Sequence, residues 1–236
     1  MERGPALQPR LRAIADLVPA GSRLLDVGTD HGYIPVALRL AGRIPSAIAS
    51  DIGAEPLDHA RRTAVRYEAD RIDFRLCDGL AAVAPEETDT IVIAGMGGDT
   101  IAAILAAAPW TRQGKLLLLQ PMSRAEMLRA WLPENGYCVQ AERLAADKGV
   151  IYPILTVTGG EMPPATPAQA QGGFLLGEDP LWGEYLAMRI LRLRKAAAGL
   201  AQARDEALAE KRRGLLDVID QLERQRDQLA AGTEKR

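Results

Sequence analysis

Aromatic side chains are scarce: Phe, Trp and Tyr together make up 4% of the 236 residues. A core with so few rings has to be aliphatic, which suits buried parallel strands covered by Ala-rich helices. Cysteine and histidine are almost missing, with two of each. Cys77, Cys138, His31 and His59 follow no zinc-ligand spacing, and two cysteines make no disulfide framework, so no metal and no stapled fold are expected. No apolar run approaches the ~18 residues that a membrane-spanning helix needs. The N-terminus has no basic stretch leading into an apolar one, so no signal peptide is expected and the chain reads as cytoplasmic. An excess of charge of one sign is missing too. The formal charge of −2 argues against a uniformly basic surface for nucleic acid, while leaving room for a local patch. The length allows one sizeable domain with an appendage, or two small domains.

What is present is organised around Arg23-Leu-Leu-Asp26-Val27-Gly28-Thr29-Asp30-His31-Gly32-Tyr33. Leu24, Leu25 and Val27 predict a buried strand, the glycines a turn, and Ile34 to Leu40 a helix. A strand, a glycine turn and a helix in succession open a nucleotide-binding α/β sheet. A dinucleotide fingerprint would place a glycine at position 30, and the residue there is Asp30. Asp26 on the strand, followed by Gly28, Asp30 and Gly32, is instead similar to motif I of the S-adenosylmethionine-dependent methyltransferases. Their ligand presents an ammonium and a sulfonium to carboxylates, where a dinucleotide presents a pyrophosphate to a helix N-terminus.

Strands and helices then alternate. Apolar residues from Leu7 to Val18 predict an amphipathic first helix. Strands are expected over 47–51, 72–77, 90–94 and 116–119, with helices over 56–69, from 98 to about 109, and over 127–132. Residues 137–145 and 150–157 predict a terminal antiparallel hairpin. Pro153 removes a ladder donor from that last strand, which predicts either a bulge there or a strand in two pieces. Residues 159–173 are a linker by composition. Beyond it Leu186, Ile190, Leu193, Ala197 and Leu200 keep a heptad spacing, as do Leu208, Arg212, Leu215, Ile219, Leu222, Arg226 and Leu229. The expected organisation is a sheet domain over 1–158, a linker over 159–173 and an α-helical coiled coil over 174–236. The coil is either one long helix or a hairpin turning between Gly199 and Asp205. Its pairing within or between chains is open, giving a monomer or a weak dimer.

Ligands of open α/β sheets sit outside the carboxyl ends of the strands. The strand ends here carry Asp26 to Tyr33, Asp51, Asp78-Gly79, Gly95 to Gly98, and Gln120-Pro121. Asp51 suits both ribose hydroxyls and Asp78 an adenine amino group, while Asp26 and Asp30 suit the ammonium of the cofactor. His31 and Tyr33 face the same mouth and suit an acceptor base, with His31 equally able to bond its own backbone. His59 receives no role. Asp51 can equally cap the turn that follows it, and Asp78-Gly79 can be an ordinary turn.

The run Asp26-Val-Gly-Thr-Asp-His-Gly-Tyr-Ile-Pro35, with Ile93-Ala-Gly-Met-Gly-Gly98 and Leu119-Gln-Pro121, resembles the bacterial TrmK-type tRNA (adenine(22)-N(1))-methyltransferases. The resemblance covers about residues 7–158 and continues loosely into the coil. It implies a Rossmann-like class I methyltransferase sheet with a C-terminal α-helical coiled-coil appendage, S-adenosyl-L-methionine as cofactor and tRNA as partner. It sets the cofactor against Asp26, Gly28, Asp30, Asp51, Asp78-Gly79 and Gly95. The acceptor then lies near His31, Tyr33 and Gly97, with Gly98, Gln120 and Pro121 alongside. The chain departs from the family pattern at Pro153 after Tyr152 and at Ala146-Asp147-Lys148, both in the hairpin.

The implied chemistry fits what the chain lacks. Enzymes that methylate the exocyclic amine of adenine carry Asn/Asp-Pro-Pro-aromatic after the fourth strand, and Gly95-Met-Gly-Gly98 offers no such side chains. Ring N1 already has an in-plane lone pair, so positioning is the main requirement, and it is worth ~7–11 kcal/mol in well-oriented systems. The product is cationic, so Asp30 or His31 is placed to stabilise developing charge. For tRNA phosphates the chain offers Arg189, Arg192, Arg194, Lys195, Arg204, Lys211, Arg212 and Arg213 against three acids in the same stretch, with Arg3, Arg10 and Arg12 at the first helix. A solvated helix face explains the same run. Two rival readings remain: a methyltransferase for another acceptor, and a non-catalytic cofactor-binding module with a coiled-coil interaction arm.

Overall fold

A computed structural model describes residues 4–174, 176–177, 179–201 and 205–233. Arg3, Arg204 and the middle of the expected turn between Gly199 and Asp205 lie outside the described residues. Among the described residues the sheet has seven strands: β1 (Leu24–Val27), β2 (Ala47–Asp51), β3 (Ile72–Leu76), β4 (Thr90–Gly97), β5 (Leu116–Ser123), β6 (Tyr137–Asp147) and β7 (Val150–Gly159). Their order is β3-β2-β1-β4-β5-β7-β6. The first five are parallel, and β7 runs antiparallel to both β5 and β6. The strand order reverses between β1 and β4, which is where a crevice opens at the carboxyl edge of such a sheet.

Central strands read as unbroken apolar runs because both faces are covered. Leu25, Val27, Ile91, Ile93, Leu117 and Leu119 point to one face, under α4 (Gly98–Ala107) and α5 (Ala125–Glu134). Leu24, Val92 and Leu118 point to the other, under α1 (Pro9–Leu17) and α2 (Tyr33–Leu40). α3 (Ala54–Arg66) buries Leu57, Ala60 and Ala64 and lies beside α2 and β2. β4 and β5 outrun their apolar runs. Past Ala94 their pairing continues with shifted register, Met96 opposite Pro121 and Gly97 opposite Ser123, so the polar tips stay in the sheet.

Three expectations are corrected. β7 is continuous through Pro153, and the irregularity sits on β6, between Val139 and Ala141. Pro153 lies opposite Leu144, whose N–H donates to Asp179 at 2.8 Å and so points away from β7. The pair is therefore a non-hydrogen-bonded one, and β5 stops pairing at Leu155, so no ladder acceptor waits for the missing N–H. Residues 159–173 are not all linker, because Pro167–Gly172 form α6. Thr166 and Gln169 cap its start reciprocally. The heptad reading of the last helix misses Val218, which is buried beside Ile219 and Leu222, while Leu208 is exposed.

The C-terminal segment is a pair of helices, α7 (Trp182–Gly199) and α8 (Glu206–Thr233). Leu186, Ile190, Leu193 and Ala197 pack against Val218, Ile219 and Leu222, closing the seam within one chain. Six intervening residues are too few to span the ~27 Å length of α7, so the helices run antiparallel. The hairpin is tied to the sheet domain by Arg129 of α5, which is fully buried. Arg129 donates to Glu142 at 2.9 Å, to the Ala170 carbonyl at 3.0 Å and to the Tyr185 hydroxyl at 3.2 Å.

Candidate active site

Two cavities lie along the carboxyl edge of the sheet and share Gly28. One, of about 300 Å³, is lined by Asp26, Gly28, Thr29, Asp30, His31, Tyr33 and Gly95, with Arg10 at one wall. The other, of about 610 Å³, is lined by Gly28, Asp51, Ile52, Asp78, Gly79, Leu80 and Met96. The tips of β1, β2 and β4 and the turn after β3 are thus brought to one place.

The shared turn hangs on β2, with the N–H groups of Gly28 and Thr29 both donating to the Ser50 carbonyl. Gly28 has φ +70°, a backbone angle that strains any L side chain; a Cβ there would meet the movable end of Met96, with Cε at 2.2 Å, so the angle is the stronger reason for glycine. Asp26 is buried, and the Thr29 hydroxyl donates to its carboxylate at 2.7 Å. Burial pushes its carboxyl up to about 6. The Thr29 hydrogen bond opposes the shift and the charge of Asp51 adds to it. Asp51 accepts from the Gly53 N–H at 2.8 Å through one oxygen, so it caps its turn and keeps a second oxygen on the cavity.

His31 stacks on Tyr33, with centroids 5.1 Å apart and planes at 17°, and on His59 at 5.1 Å and 12°. Asp30 stands 3.6 Å from His31 Nε2. Ligand-type atoms of Asp30, His31 and His59 all lie within 4.8 Å of one another. The two imidazoles are nearly parallel, so their in-plane lone pairs do not converge on one point, and the group is an aromatic stack with a carboxylate beside it.

Other expected residues stand further from the cavities. Gly97 and Gly98 line neither, and Gly98 lets α4 press on the chain before α5, since a Cβ would meet the Arg124 carbonyl at 2.4 Å. Gln120 is buried. Its side-chain carbonyl accepts from Arg10 and from the Gly95 N–H, and its amide donates to the Pro121 carbonyl. It supports the wall of the first cavity from behind. Arg189 is drawn inward, 11% exposed, and pairs with Glu126 at 2.9 Å and with Gln171, so it joins α7 to α5 and α6 and offers little to a ligand. Arg192, Lys195, Lys211 and Arg213 are exposed, and Arg194 pairs with Glu223.

The sequence reading gave no role to Ile52, Met96 or His59 and counted Arg10 only among outer cations. Ile52 is 72% exposed at the rim of the larger cavity, an apolar surface of the kind a purine ring covers. Its place directly after Asp51 was the one signal available. The donor set fits S-adenosylmethionine: carboxylates for an ammonium and for hydroxyls, an apolar rim for a ring, and a side-chain-free turn at the junction.

A methyltransferase-domain family model matches residues 7–155. The tRNA (adenine(22)-N(1))-methyltransferase of Bacillus subtilis (strain 168) is 34% identical over 183 residues, covering 77% of this chain and 75% of that protein. The chain belongs to the tRNA (adenine(22)-N(1))-methyltransferase family. The crystal structure of the B. subtilis m1A22 tRNA methyltransferase TrmK superposes with a TM-score of 0.79 at 28% identity, covering 91% of this chain and 99% of that one. A Streptococcus pneumoniae protein solved with S-adenosyl-L-methionine superposes at 0.78 with 31% identity, covering 91% of this chain and all of the other. The TrmK likeness extends beyond the sheet, since the coverage takes in residues of the C-terminal helices.

Proposed function

We propose that this chain transfers a methyl group from S-adenosyl-L-methionine to N1 of adenine 22 in tRNA, working in the cytoplasm. The observation that carries the reading is the pair of carboxylate-lined cavities meeting at Gly28, on the sheet of a TrmK-family chain. When bound, the cofactor supplies an electrophilic methyl on a sulfonium. Asp51 and Asp78 would hold its nucleoside end in the larger cavity, and Asp26 and Asp30 its ammonium in the smaller one.

The chain's own groups do the rest by position. Tyr33 and His31 form a stacked platform at the mouth of the smaller cavity, suited to a flipped base. Asp30 lies beside that platform, where it would offset positive charge growing on the base. No side chain has to remove a proton from N1, since the ring nitrogen carries a free lone pair. The exposed cations of α7 and α8 would meet tRNA phosphates. The closed seam between those helices supports pairing within one chain.

Incubation with labelled cofactor and tRNA lacking the modification should label the RNA, with 1-methyladenine as the labelled nucleoside, and adenine 22→guanine tRNA should stay unlabelled. Cofactor binding with no transfer to any tRNA would overturn the reading.

A further inference from the structure

Charge along the carboxyl edge of the sheet divides in two. The two large cavities are lined by four carboxylates, Asp26, Asp30, Asp51 and Asp78, against one arginine. A cleft of about 40 Å³ adjoins them, and Met122 lines both this cleft and the 300 Å³ cavity. Arg124, Arg189 and Arg192 line the cleft, and no carboxylate does so among the described residues. Its walls are the tip of β5, the start of β7 and one face of α7. Because β7 runs antiparallel to β5, its start lies at the same edge as the strand tips around the cofactor cavities. We propose that Arg124 and Arg192 form a phosphate-binding subsite for the tRNA backbone beside the target adenine, which makes them positioning residues for methyl transfer. The inference rests on the methyltransferase reading above.

The two arginines are available for different reasons. Arg192 is exposed, and its side chain has no hydrogen bond or ion pair among the described residues. It follows Tyr185, Met188 and Arg189 at helical spacing on the face of α7 that walls the cleft. Arg124 donates to Asp99 at 3.2 Å with both side chains more than half exposed, a pair weak enough for a phosphodiester to displace. Its backbone stands at φ +55°, which Gly or Asn adopts at less cost, so a long cationic side chain is kept at a strained position. Arg189 closes the back of the cleft with its charge met by Glu126. On a scale where one water needs ~10–15 Å³, the cleft has room for about three waters. That suits a phosphate group and is too small for a base. A flipped base leaves its flanking phosphates at the mouth of its pocket, and this cleft lies just beyond Met122 from the cavity that holds His31 and Tyr33. Planar guanidinium forks match the two non-bridging oxygens of a phosphodiester. Free inorganic phosphate offers the same chemistry and is the rival source.

The test pairs a change in the full chain with a change in the RNA. Unmodified tRNA carries one uncharged methylphosphonate on either side of adenine 22 in turn, next to a 2′-O-methyl ribose, with the 2′-O-methyl tRNA as reference. With wild-type protein, one of the two positions should lower the single-turnover rate at saturating tRNA roughly tenfold. Arg192→Gln and Arg124→Asn, the second a residue that accepts the left-handed backbone, should each lower that rate by a similar factor on the reference tRNA. Both should bind S-adenosylmethionine as the wild type does, which also shows that the fold survives. Each should lose most of its further response to the sensitive methylphosphonate. Losses that simply multiply, or a change in KM with the saturating rate intact, would overturn the proposal and leave the methyltransferase reading standing. So would inorganic phosphate that binds the wild type but neither variant while the methylphosphonates have no effect. Absence of 1-methyladenine from unmodified tRNA treated with the wild type would overturn that reading itself.

Discussion

Asp26 shows what the site costs the fold at the scale of one residue. Its carboxyl is held at about 6 in the folded chain against an ordinary value of 3.8. The folded state therefore binds the proton more tightly, and stability falls as pH rises from about 4 to about 6 and stays reduced above that. The two-unit gap sets a ceiling of about 3 kcal/mol. Asp26→Asn should raise the melting temperature at pH 7.5 and leave it unchanged near pH 4, measured by thermal unfolding. The same residue should tie cofactor affinity to pH, because an ammonium favours the ionised carboxylate. Wild-type affinity should drop as pH falls below 6, and in Asp26→Asn it should be weaker at pH 7.5 and flat with pH. A flat wild-type profile between pH 5 and 8 would place the ammonium elsewhere. The cavity positions of Asp26, Gly28, Asp51 and Asp78 were legible because each lies in or just beyond the carboxyl end of a strand that apolar or alternating spacing predicts. Arg10 was not, since its partner Gln120 lies 110 residues away and only the closed sheet brings them together. His59 was hidden for the same reason: its ring acquires meaning only when α3 packs beside the turn that carries His31.

Among the elements, α5 is the joint. It covers one face of the sheet with Leu128 and Leu132 and sends Arg129 towards β6, α6 and α7. The Arg129–Glu142 pair is fully buried on both sides. Arg129→Met alone leaves Glu142 charged and unmatched, and should cost about 3–5 kcal/mol in urea unfolding. Adding Glu142→Leu should recover most of that loss. Simple additivity of the two substitutions would show that the pair does not act as a unit. The helix and strand pattern around this joint followed from apolar periodicity. α6 did not, because Pro-Pro-Ala-Thr-Pro reads as punctuation and the Thr166–Gln169 cap inside it is a weak signal. Pro153 misled in the other direction. A ladder has two sides, and the chain alone does not reveal that the proline faces the unpaired one.

For the whole molecule, the proposed function asks the helical arm to meet tRNA phosphates while the sheet edge meets the base. Arg129 and the Arg189–Glu126 pair hold the arm to the sheet domain, and the Trp182 indole, which donates to the Gly172 carbonyl at 3.0 Å, holds it to α6. Arg192→Ala with Lys195→Ala should weaken tRNA binding and leave cofactor affinity unchanged. The slope of log affinity against log salt should become shallower by about 1 for each phosphate that these side chains neutralise. An unaltered slope in filter-binding titrations would return those cations to a solvated role. The heptads announced the helices correctly. They could not say that Arg189, at the start of the basic run, turns inward.

The place of β7 has a consequence for how the protein is made. Its ten residues are the last of the sheet to leave the ribosome, yet they fill the slot beside β5, between strands synthesised earlier. Until residue 159 is free, a nascent chain carries an open, apolar strand margin where Leu117 to Leu119 await a neighbour. Truncation before that point should therefore yield an insoluble fragment, not a smaller enzyme, and translation pauses are tolerable only after it.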